Sequence, residues 1–289
     1  MKNSLFVIVL FFSFSTSAQK HTETIRKEIQ VNKNFYNKTF TVNNINGGIT
    51  VEGYDGSTIQ IEAIKTIEGK NTARLEEGKA KVALGIHEED DEILIYNKTP
   101  CSDVKQQKGD DGNWYWKTWK NNCDWGSGIH FHFDFNIKIP KNINLVVSTV
   151  NDGEIKVSNV QGKVKANNIN GGIVLDQISG ATHAHTINGD VKITYTKNPT
   201  DDSKYYSLNG NINAYYQKGL SAQLAFESFN GDFFTNIEEV EMLPSVVEKK
   251  KNGKGVKYKL GGKSKMQVRN GKVLLDFETF NGNVYVKEL

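Results

Sequence analysis

The chain has 289 residues, and its formal net charge is only +3 at pH 7. So small a charge gives no support for a protein that binds nucleic acid or a membrane surface through its overall charge. The sequence has 26 glycines but four prolines, and it is rich in Val, Ile, Thr and Tyr, which favours strands and turns over helices. We therefore expect an all-β protein with one short helix over residues 72–81.

The N-terminus has the three parts of a secretory signal. Lys2 supplies the positive charge, an apolar run extends from Leu5 to Phe12, and small residues end at Ala18. The apolar run is too short for a membrane span, which needs roughly 20 residues, and no later segment comes close to that length. We expect residues 1–18 to be a signal peptide that is cleaved before Gln19. The rest of the chain is then exported to the periplasm, the outer-membrane surface or the extracellular medium.

The next predicted unit, residues 19–135, is a β region with an insert. Its two cysteines, Cys101 and Cys123, are expected to form a disulfide, the usual state in an oxidising compartment. Aromatic residues crowd this insert, and the candidate ligand-binding set is Trp114, Tyr115, Trp116, Trp119 and Trp125. Flat amphipathic rings suit contact with a glycan or a protein. The alternative is that these rings pack against the body of the protein.

Polar and aromatic residues alternate directly after this insert. His130, His132 and Asp134 would share one face of a strand, opposite Phe131, Phe133 and Phe135. Imidazole and carboxylate groups on one face can bind a metal, and His183 and His185 form a second such pair. The simpler interpretation of the alternation is a strand with one solvent-exposed face and one buried face.

A five-residue pattern recurs through the chain, an apolar residue, Asn, Gly, any residue and a second apolar residue. Its six copies lie at 45–49, 169–173, 187–191, 208–212, 229–233 and 280–284, and the seven residues 43–49 and 167–173 are identical. Because Asn and Gly tolerate positive φ, we predict a sharp corner at each pair, with both flanking apolar residues pointing inward. Val191, Ile193 and Tyr195 continue the inward face after one corner.

The spacing of these corners distinguishes two architectures. Asn-Gly pairs also mark hairpin turns, so a β-sandwich of hairpins is the alternative. Asn188, Asn209 and Asn230 are, however, 21 residues apart, which favours stacked coils of a solenoid. We therefore predict a β-solenoid over residues 136–289. The rhythm breaks at residues 66–135 and 238–266, which could form caps, braces or binding inserts.

The segment from Phe135 to Asp190 carries a resemblance to a known family. Its marks are the strand that ends in Ile139-Pro140, the stretch NINLVVSTVNDGEIKVSNVQGKVK and the corner NNINGGI. This segment resembles the bacterial "putative adhesin" family of domains of unknown function, and it is similar to the head domain of related autotransporter adhesins. The resemblance implies a right-handed parallel β-solenoid and export. It brings no catalytic residues, and the adhesin label itself rests on analogy of fold.

Two charged features suggest alternative functions. Asp190, Asn211 and Asp232 follow successive corner glycines, and direct stacking would place the two carboxylates about 9–10 Å apart. That separation is at the upper edge of the range for inverting glycosidases, although Gly-Asp corners are ordinary turn chemistry. Residues 248–272 contain ten Lys or Arg and one acid. They predict either a site for an anionic partner or a lysine-guarded hairpin.

The leading hypothesis is an exported, non-enzymatic, adhesin-like scaffold that binds a glycan or a protein. The alternatives are a periplasmic component of envelope assembly or stress signalling, and a polysaccharide-active enzyme. The sequence has no Ser-His-Asp spacing, phosphate-binding glycine loop or dinucleotide motif. We therefore expect no cofactor, no specific nucleic-acid partner and no catalytic site.

Overall fold

A computed structural model describes residues 19–31, 38–108, 114–120, 123–244, 247–252, 255–260 and 263–289, with residues 108, 114–116, 247–252 and 255–260 described as backbone only. The predicted signal peptide, residues 1–18, lies outside the described residues. The helix is α1 (Thr72–Lys81), as predicted. The first strands are β1 (Gln19–Gln30), β2 (Thr39–Asn43), β3 (Ile49–Tyr54), β4 (Thr58–Gly69), β5 (Ala83–Glu88), β6 (Glu92–Lys98), β7 (Ser102–Lys108), β8 (Trp114–Trp119) and β9 (Ile129–Pro140). The middle strands are β10 (Asn144–Thr149), β11 (Ile155–Ser158), β12 (Val164–Asn170), β13 (Ile173–Ile178), β14 (Thr182–Asn188), β15 (Val191–Tyr195), β16 (Ser203–Asn209) and β17 (Ile212–Tyr216). The last strands are β18 (Ala222–Asn230), β19 (Phe233–Thr235), β20 (Val240–Met242), β21 (Val247–Asn252), β22 (Gly255–Leu260), β23 (Ser264–Val268), β24 (Val273–Asn281) and β25 (Val284–Glu288).

Two sheets face each other and enclose the core. Sheet A has the order β1-β4-β9-β3-β11-β13-β15-β17-β25-β19, and sheet B has the order β20-β23-β18-β24-β16-β14-β12-β10-β2-β6-β5. Each coil contributes one strand to sheet B and the next strand to sheet A, and neighbouring coils pair in parallel. This arrangement confirms the predicted solenoid. The alternative of a sandwich of hairpins is wrong, because the Asn-Gly corners join strands of different sheets.

The coils do not stack in chain order. The first coil, β2–β3, lies between β6 and β9 on one side and β10–β11 on the other. The last coil, β24–β25, lies between β16–β17 and β18–β19. The expectation that Asn209 and Asn230 belong to adjacent coils was therefore wrong, since Asn281 lies between them. The first and the last coil of the chain therefore both lie inside the stack, and each pairs with strands on either side.

The core follows the alternation that the sequence predicts. Val191, Ile193 and Tyr195 are buried as expected. Stacked residues at the start of each sheet A strand are also fully buried: Ile49, Ile155, Ile173, Val191, Ile212 and Val284. Repetition of this buried position through the coils produces one continuous apolar row of the core along the stack.

The apolar residue before each corner asparagine does not point inward, contrary to the prediction. Ile169 and Phe280 are exposed, whereas the residue before each of them, Asn168 or Thr279, is buried. The reason is that the buried backbone carbonyls at the corner need hydrogen-bond donors. Thr186 Oγ1 donates to the Gly171 carbonyl at 2.8 Å, and Ser207 Oγ donates in the same way one coil later. A small polar side chain therefore takes the inward place, and the alternation turns the apolar residue outward.

Each corner position must be glycine because the backbone of the neighbouring coil lies too close to admit a side chain. A Cβ atom on Gly210 would lie 2.1 Å from the Gly189 carbonyl oxygen, and one on Gly189 would lie 2.4 Å from that of Gly171. Positive φ, the predicted reason, occurs at Gly47 and Gly282 but not at the glycines between them. The corner asparagines have no positive φ either. The prediction of a corner was right, and its stated cause was wrong.

The corner asparagines form one continuous ladder of side-chain amides. Asn188 Nδ2 donates to Asn170 Oδ1 at 2.8 Å, and Asn209 Nδ2 donates to Asn188 Oδ1 at 2.9 Å. The whole ladder runs in the order Asn46, Asn151, Asn170, Asn188, Asn209, Asn281 and Asn230. An amide can donate to one coil and accept from the other at the same time, which explains why the position is Asn.

The two ends of the stack are built differently. Sheet A is extended at one end by the antiparallel strands β4 and β1, against which α1 packs through Leu75. Asn71 is the N-cap of this helix, and its side chain accepts a hydrogen bond from the Arg74 amide at 2.9 Å. At the other end sheet B is extended by β23 and β20. The two stretches that break the repeat therefore provide the elements at the ends of the stack.

Three tyrosines carry hydroxyl groups into the core between β15, β16 and β17. The Tyr195 and Tyr205 hydroxyl oxygens are 2.7 Å apart, and the Tyr216 hydroxyl donates to that of Tyr205 at 3.1 Å. The rings of Tyr195 and Tyr216 stack at 5.1 Å. Burial raises the pKa of Tyr195, and it raises the pKa of Tyr205 and Tyr216 well above their ordinary value.

We expect Gly210→Ala to lower the free energy of unfolding by about 1–3 kcal/mol, the usual cost of overpacking. The matched control is Gly48→Ala, where the nearest atom to the added Cβ is 3.5 Å away. Urea unfolding of both variants measures the difference. Equal stability of the two variants would show that room for a Cβ atom is not the constraint at the corner.

We expect Tyr205→Phe to cost about 1–2 kcal/mol, because two buried hydroxyls lose a partner. Tyr206→Phe, on the outer side of the same strand, is the control and should change stability by less than about 0.5 kcal/mol. Above pH of about 10 the unfolded chain ionises these three tyrosines while the folded chain keeps them neutral, so their contribution to stability falls as pH rises. Urea unfolding between neutral and alkaline pH should show a shallower fall in Tyr205→Phe than in the unaltered protein. An identical slope would contradict the burial argument.

Candidate functional site

The outward apolar residues at the corners form a ridge along one edge of the solenoid. We call it the corner ridge, and it consists of Ile45, Val150, Ile169, Ile187, Leu208, Phe280 and Phe229 in spatial order. Seven side chains at the spacing of neighbouring strands extend over about 29 Å. Phe229 is 73% exposed and Phe280 43% exposed, and their rings stack in parallel at 4.7 Å. The ridge is therefore widest and most exposed at the end where the two Phe residues lie.

Polar side chains accompany the corner ridge on its sheet A side. Asp190 Oδ1 accepts a hydrogen bond from the Asn211 amide at 2.8 Å, and Asn211 Oδ1 accepts one from the Asn283 amide at 2.9 Å. Asn283 Oδ1 in turn accepts from the Asp232 amide at 2.9 Å. Asp190 and Asp232 are thus three coils apart, about 14 Å, and not two as the sequence suggested. That distance exceeds the range for a pair of glycosidase carboxylates.

The disulfide between Cys101 and Cys123 is present, as predicted. It joins the two ends of a hairpin in which β7 pairs only with β8. The side chains of Trp114, Tyr115 and Trp116 lie outside the described residues. A role of these three rings in ligand binding therefore stays a prediction.

The other two tryptophans contact the body of the protein. The Trp119 ring stacks on Phe131 with ring centres 6.5 Å apart. Trp125 packs against the core, and its Nε1 donates to Glu77 Oε1 of α1 at 3.1 Å. Hydrogen bonds from Lys81, Arg74 and Trp125 lower the pKa of Glu77 to about 2. These contacts favour the packing interpretation for Trp119 and Trp125.

The histidines of the hypothetical metal site do not converge. His132 Nε2 lies 3.1 Å from Asp134 Oδ2, while Asp134 Oδ1 accepts a hydrogen bond from the Gly48 amide at 2.9 Å. His130 is exposed and lies opposite Glu68 in the register of β4 and β9. In the described parts of the chain, no three His, Cys, Asp or Glu side chains are placed to hold a metal. The rings alternate as predicted, with Phe133 and Phe135 buried on the other face.

The second histidine pair lies on the outer face of sheet B, on β14. Burial, with the nearby charges of Lys165 and Lys204, lowers the pKa of His183, and burial and Lys204 lower that of His185. The His185 ring stacks on Tyr206 at 4.5 Å. Because the first pair is on sheet A, the two pairs cannot form one metal site.

The basic segment forms the predicted hairpin, with β21 antiparallel to β22. Two of its cations beyond the hairpin are already paired. Lys263 Nζ lies 2.6 Å from Asp276 and 2.9 Å from Glu278, and Arg269 contacts Glu239 and Glu288. The local excess of positive charge is therefore smaller than the sequence count suggests.

We expect Trp125→Ala to lower the free energy of unfolding by about 1–3 kcal/mol, because it removes apolar contact and the bond to Glu77. Trp125→Phe keeps most of the apolar contact and should lose less. Thermal unfolding of the two variants measures both losses. Unchanged stability in Trp125→Ala would favour a ring that is free for a ligand.

No curated protein matches the chain. A "putative cell adhesion protein" from Clostridium sporogenes ATCC 15579 is 12% identical with a TM-score of 0.43, and the match covers 92% of this chain and 100% of that chain. A "putative adhesin" from Bacteroides fragilis NCTC 9343 is 8% identical with a TM-score of 0.40, covering 92% and 97%. Similarity at this level carries no argument about function.

Within the described residues, none of the helices is long and apolar enough to span a membrane. Residues 129–272, which include β9 to β23, match the family model described as Toastrack DUF4097. This stretch contains the coils β10–β11 through β18–β19 in chain order, the corner asparagines from Asn151 to Asn230, and five of the seven corner-ridge residues, all but Ile45 and Phe280. Over residues 129–272, the chain is therefore similar to the Toastrack DUF4097 family.

Proposed function

We propose that this protein is an exported, non-enzymatic, adhesin-like binding protein that contacts a protein partner through the corner ridge. The observation that carries the proposal is the outward row of apolar side chains from Ile45 to Phe229. Exposed apolar residues arranged contiguously mark interaction sites on soluble proteins. Solenoids use such extended surfaces for binding.

The corner ridge does not serve the core. Its residues face away from the buried row that includes Ile173 and Val191, so polar residues could replace them without loss of core packing. Lys192 and Asn213 occupy outward positions elsewhere on the coils and are polar. One outward position is nevertheless apolar in all seven coils. Stability of the fold does not explain this, whereas contact with a binding partner does.

A protein is a better match to this surface than a glycan. The side chains over most of the ridge are aliphatic, with Ile169 exposed and Ile45, Val150, Ile187 and Leu208 partly buried. Aliphatic residues give a protein partner apolar area to bury. Stacking on sugar rings uses aromatic faces, which the ridge has only at its Phe229 and Phe280 end. The Asn ladder beside it offers amides that are already bonded to each other.

Export and a non-enzymatic role are further parts of the proposal. The secretory signal predicted at residues 1–18 and the disulfide support passage to an oxidising compartment. Against catalysis, the stacked positions after the corner glycines are used to bond backbone amides. Their wide separation also does not suit a pair of catalytic carboxylates.

The test is binding of labelled protein to intact cells from which its own gene has been deleted. We expect Ile169→Ser with Ile187→Ser to weaken binding about tenfold, equivalent to about 1.4 kcal/mol. The matched control is Lys192→Ser with Asn213→Ser, on the outer face of sheet A. Both double variants should keep the unfolding temperature of the unaltered protein. Equal binding by the two variants would contradict a role for the corner ridge.

Protease treatment of intact cells tests separately on which side of the outer membrane the protein lies. Cleavage while a periplasmic control survives would place it on the surface, as an adhesin-like protein requires. Protection until the outer membrane is opened would contradict surface display and favour a periplasmic partner.

A further inference from the structure

The two sheets end differently at the last coil. Sheet B continues beyond β18 through β23 and β20, whereas sheet A ends at β19. β19 pairs with β25 on one side, and no strand of the described chain pairs with its other side. The residues of this edge are exposed, from Asn230 to Asp232 and from Phe234 to Asn236, with only Phe233 partly covered.

The backbone groups on the open side can be assigned from the parallel ladder. The Val284 amide donates to the Asp232 carbonyl at 2.9 Å, and the Gly282 amide donates to that of Asn230 at 3.0 Å. In a parallel pair, alternate residues turn their N–H and C=O groups to the same neighbour. The groups of Phe234 therefore face β25, and those of Phe233 and Thr235 face outward. An edge with unpaired groups is a template for an added strand.

Exposed apolar side chains are concentrated around this edge. Six large apolar side chains of the described residues are exposed, and five belong to the last two coils, the residue after them or β20: Phe229, Phe234, Met242, Phe280 and Leu289. Phe234 stacks on Tyr285 at 5.0 Å on the outer face of sheet A. An added strand would find apolar surface on the faces next to it, and it would cover area that is now in water.

The chain segment that carries this edge is acidic, although the lysine-rich hairpin β21–β22 follows it in the chain. Residues 222–242, which form β18 to β20, contain five acids and no Lys, Arg or His: Glu227, Asp232, Glu238, Glu239 and Glu241. On the neighbouring β23 and its flanks, Lys263 is bound to Asp276 and Glu278, and Arg269 is bound to Glu288 and to Glu239, one of these five acids. Four acids of the segment are then left to face a partner, beside Lys265 on β23 and Lys287 on β25. Acid groups around an apolar edge complement a basic strand with apolar side chains. Two copies that met through this end would bring acid against acid, which disfavours self-association there.

We propose that the open edge of β19 binds an extended, basic segment of a partner protein as an additional strand of sheet A. The backbone groups of Phe233 and Thr235 bond to the segment, the exposed Phe rings contact its apolar side chains, and the acids face its Lys and Arg. Main-chain bonds supply affinity in this mode of recognition, and alternate side chains supply specificity. This surface goes beyond the proposed function, and it lies apart from Ile169 and Ile187, where that function is tested.

The probe is a labelled peptide of alternating Lys and Val, about eight residues long, the length of an ordinary strand. A Glu and Val peptide of the same design is its control. We expect the basic peptide to bind, with affinity that falls at high salt, and the acidic peptide to bind at least tenfold more weakly. Fluorescence anisotropy measures both. Absence of binding by the basic peptide, or equal binding of the two, would overturn the proposal.

The edge itself is tested by a pair of substitutions at Thr235. Thr235→Pro removes the outward N–H and also the Oγ1 atom that accepts a bond from the Ile237 amide at 3.1 Å. Thr235→Val loses the same Oγ1 bond but keeps the N–H. We expect Thr235→Val to bind the basic peptide as the unaltered protein does, and Thr235→Pro to bind it at least tenfold more weakly. Equal binding by both variants would overturn the assignment of the edge.

A second test does not depend on how Thr235→Pro folds. The basic peptide is made in two forms, each N-methylated at every second residue, in opposite registers. A strand added at an edge turns only alternate amides to the protein, so one form should bind and the other should fail. Equal binding by the two forms would mean that the peptide does not pair as a strand. Sedimentation of the protein alone and with the peptide checks the remaining occupant, since concentration-dependent dimers that the peptide dissociates would show a second copy at the edge.

Discussion

The close stacking of backbone at the Asn-Gly corner is the constraint on which the rest of the structure depends. With carbonyl oxygens only about 2 Å from the place of a Cβ atom at Gly189 and Gly210, the position admits no side chain. The position before the glycine must bond in both directions along the stack, and an asparagine amide does this with one group. Side-chain hydroxyls then satisfy the buried corner carbonyls. These three requirements explain why the corner repeats with so little variation while the strands between corners vary.

The enclosure of the first and last coils within the stack follows from the cost of an open coil. A coil at the end of a solenoid leaves one row of backbone groups and one side of the core without partners. Here the first and last coils in the chain are both enclosed, and the coils at the two ends belong to segments that carry additional strands. β24–β25 therefore contributes core on both of its sides, through Leu275 and Phe277 in one sheet and Val284 in the other. We expect folding to be completed only when the C-terminal residues have been added.

The same corner that organises the core also determines the surface. Because a small polar residue is needed inside the corner, the next residue must face outward. The chain could place a polar residue there at no cost to the core, yet it places Ile, Leu and Phe. The binding hypothesis rests on that choice, whereas the carboxylates and histidines that the sequence suggested are either too far apart or bonded within the scaffold. The open edge of β19 is a separate consequence, because sheet A ends before sheet B.

The sequence by itself determined the repeating part of the architecture. Five features follow from local periodicity and residue chemistry, which depend on residues near each other in the chain. They are the solenoid, α1, the Cys101–Cys123 disulfide, the buried row through Val191 and the β21–β22 hairpin. Only the tertiary structure decided the spatial order of the coils, because a strand pairs by shape and burial, not by its place in the chain. That order sets the distance from Asp190 to Asp232 and places Asn281 within the ladder. It also decided which apolar residues face water, since the demand of the corner carbonyls for donors outweighs the burial of one apolar side chain.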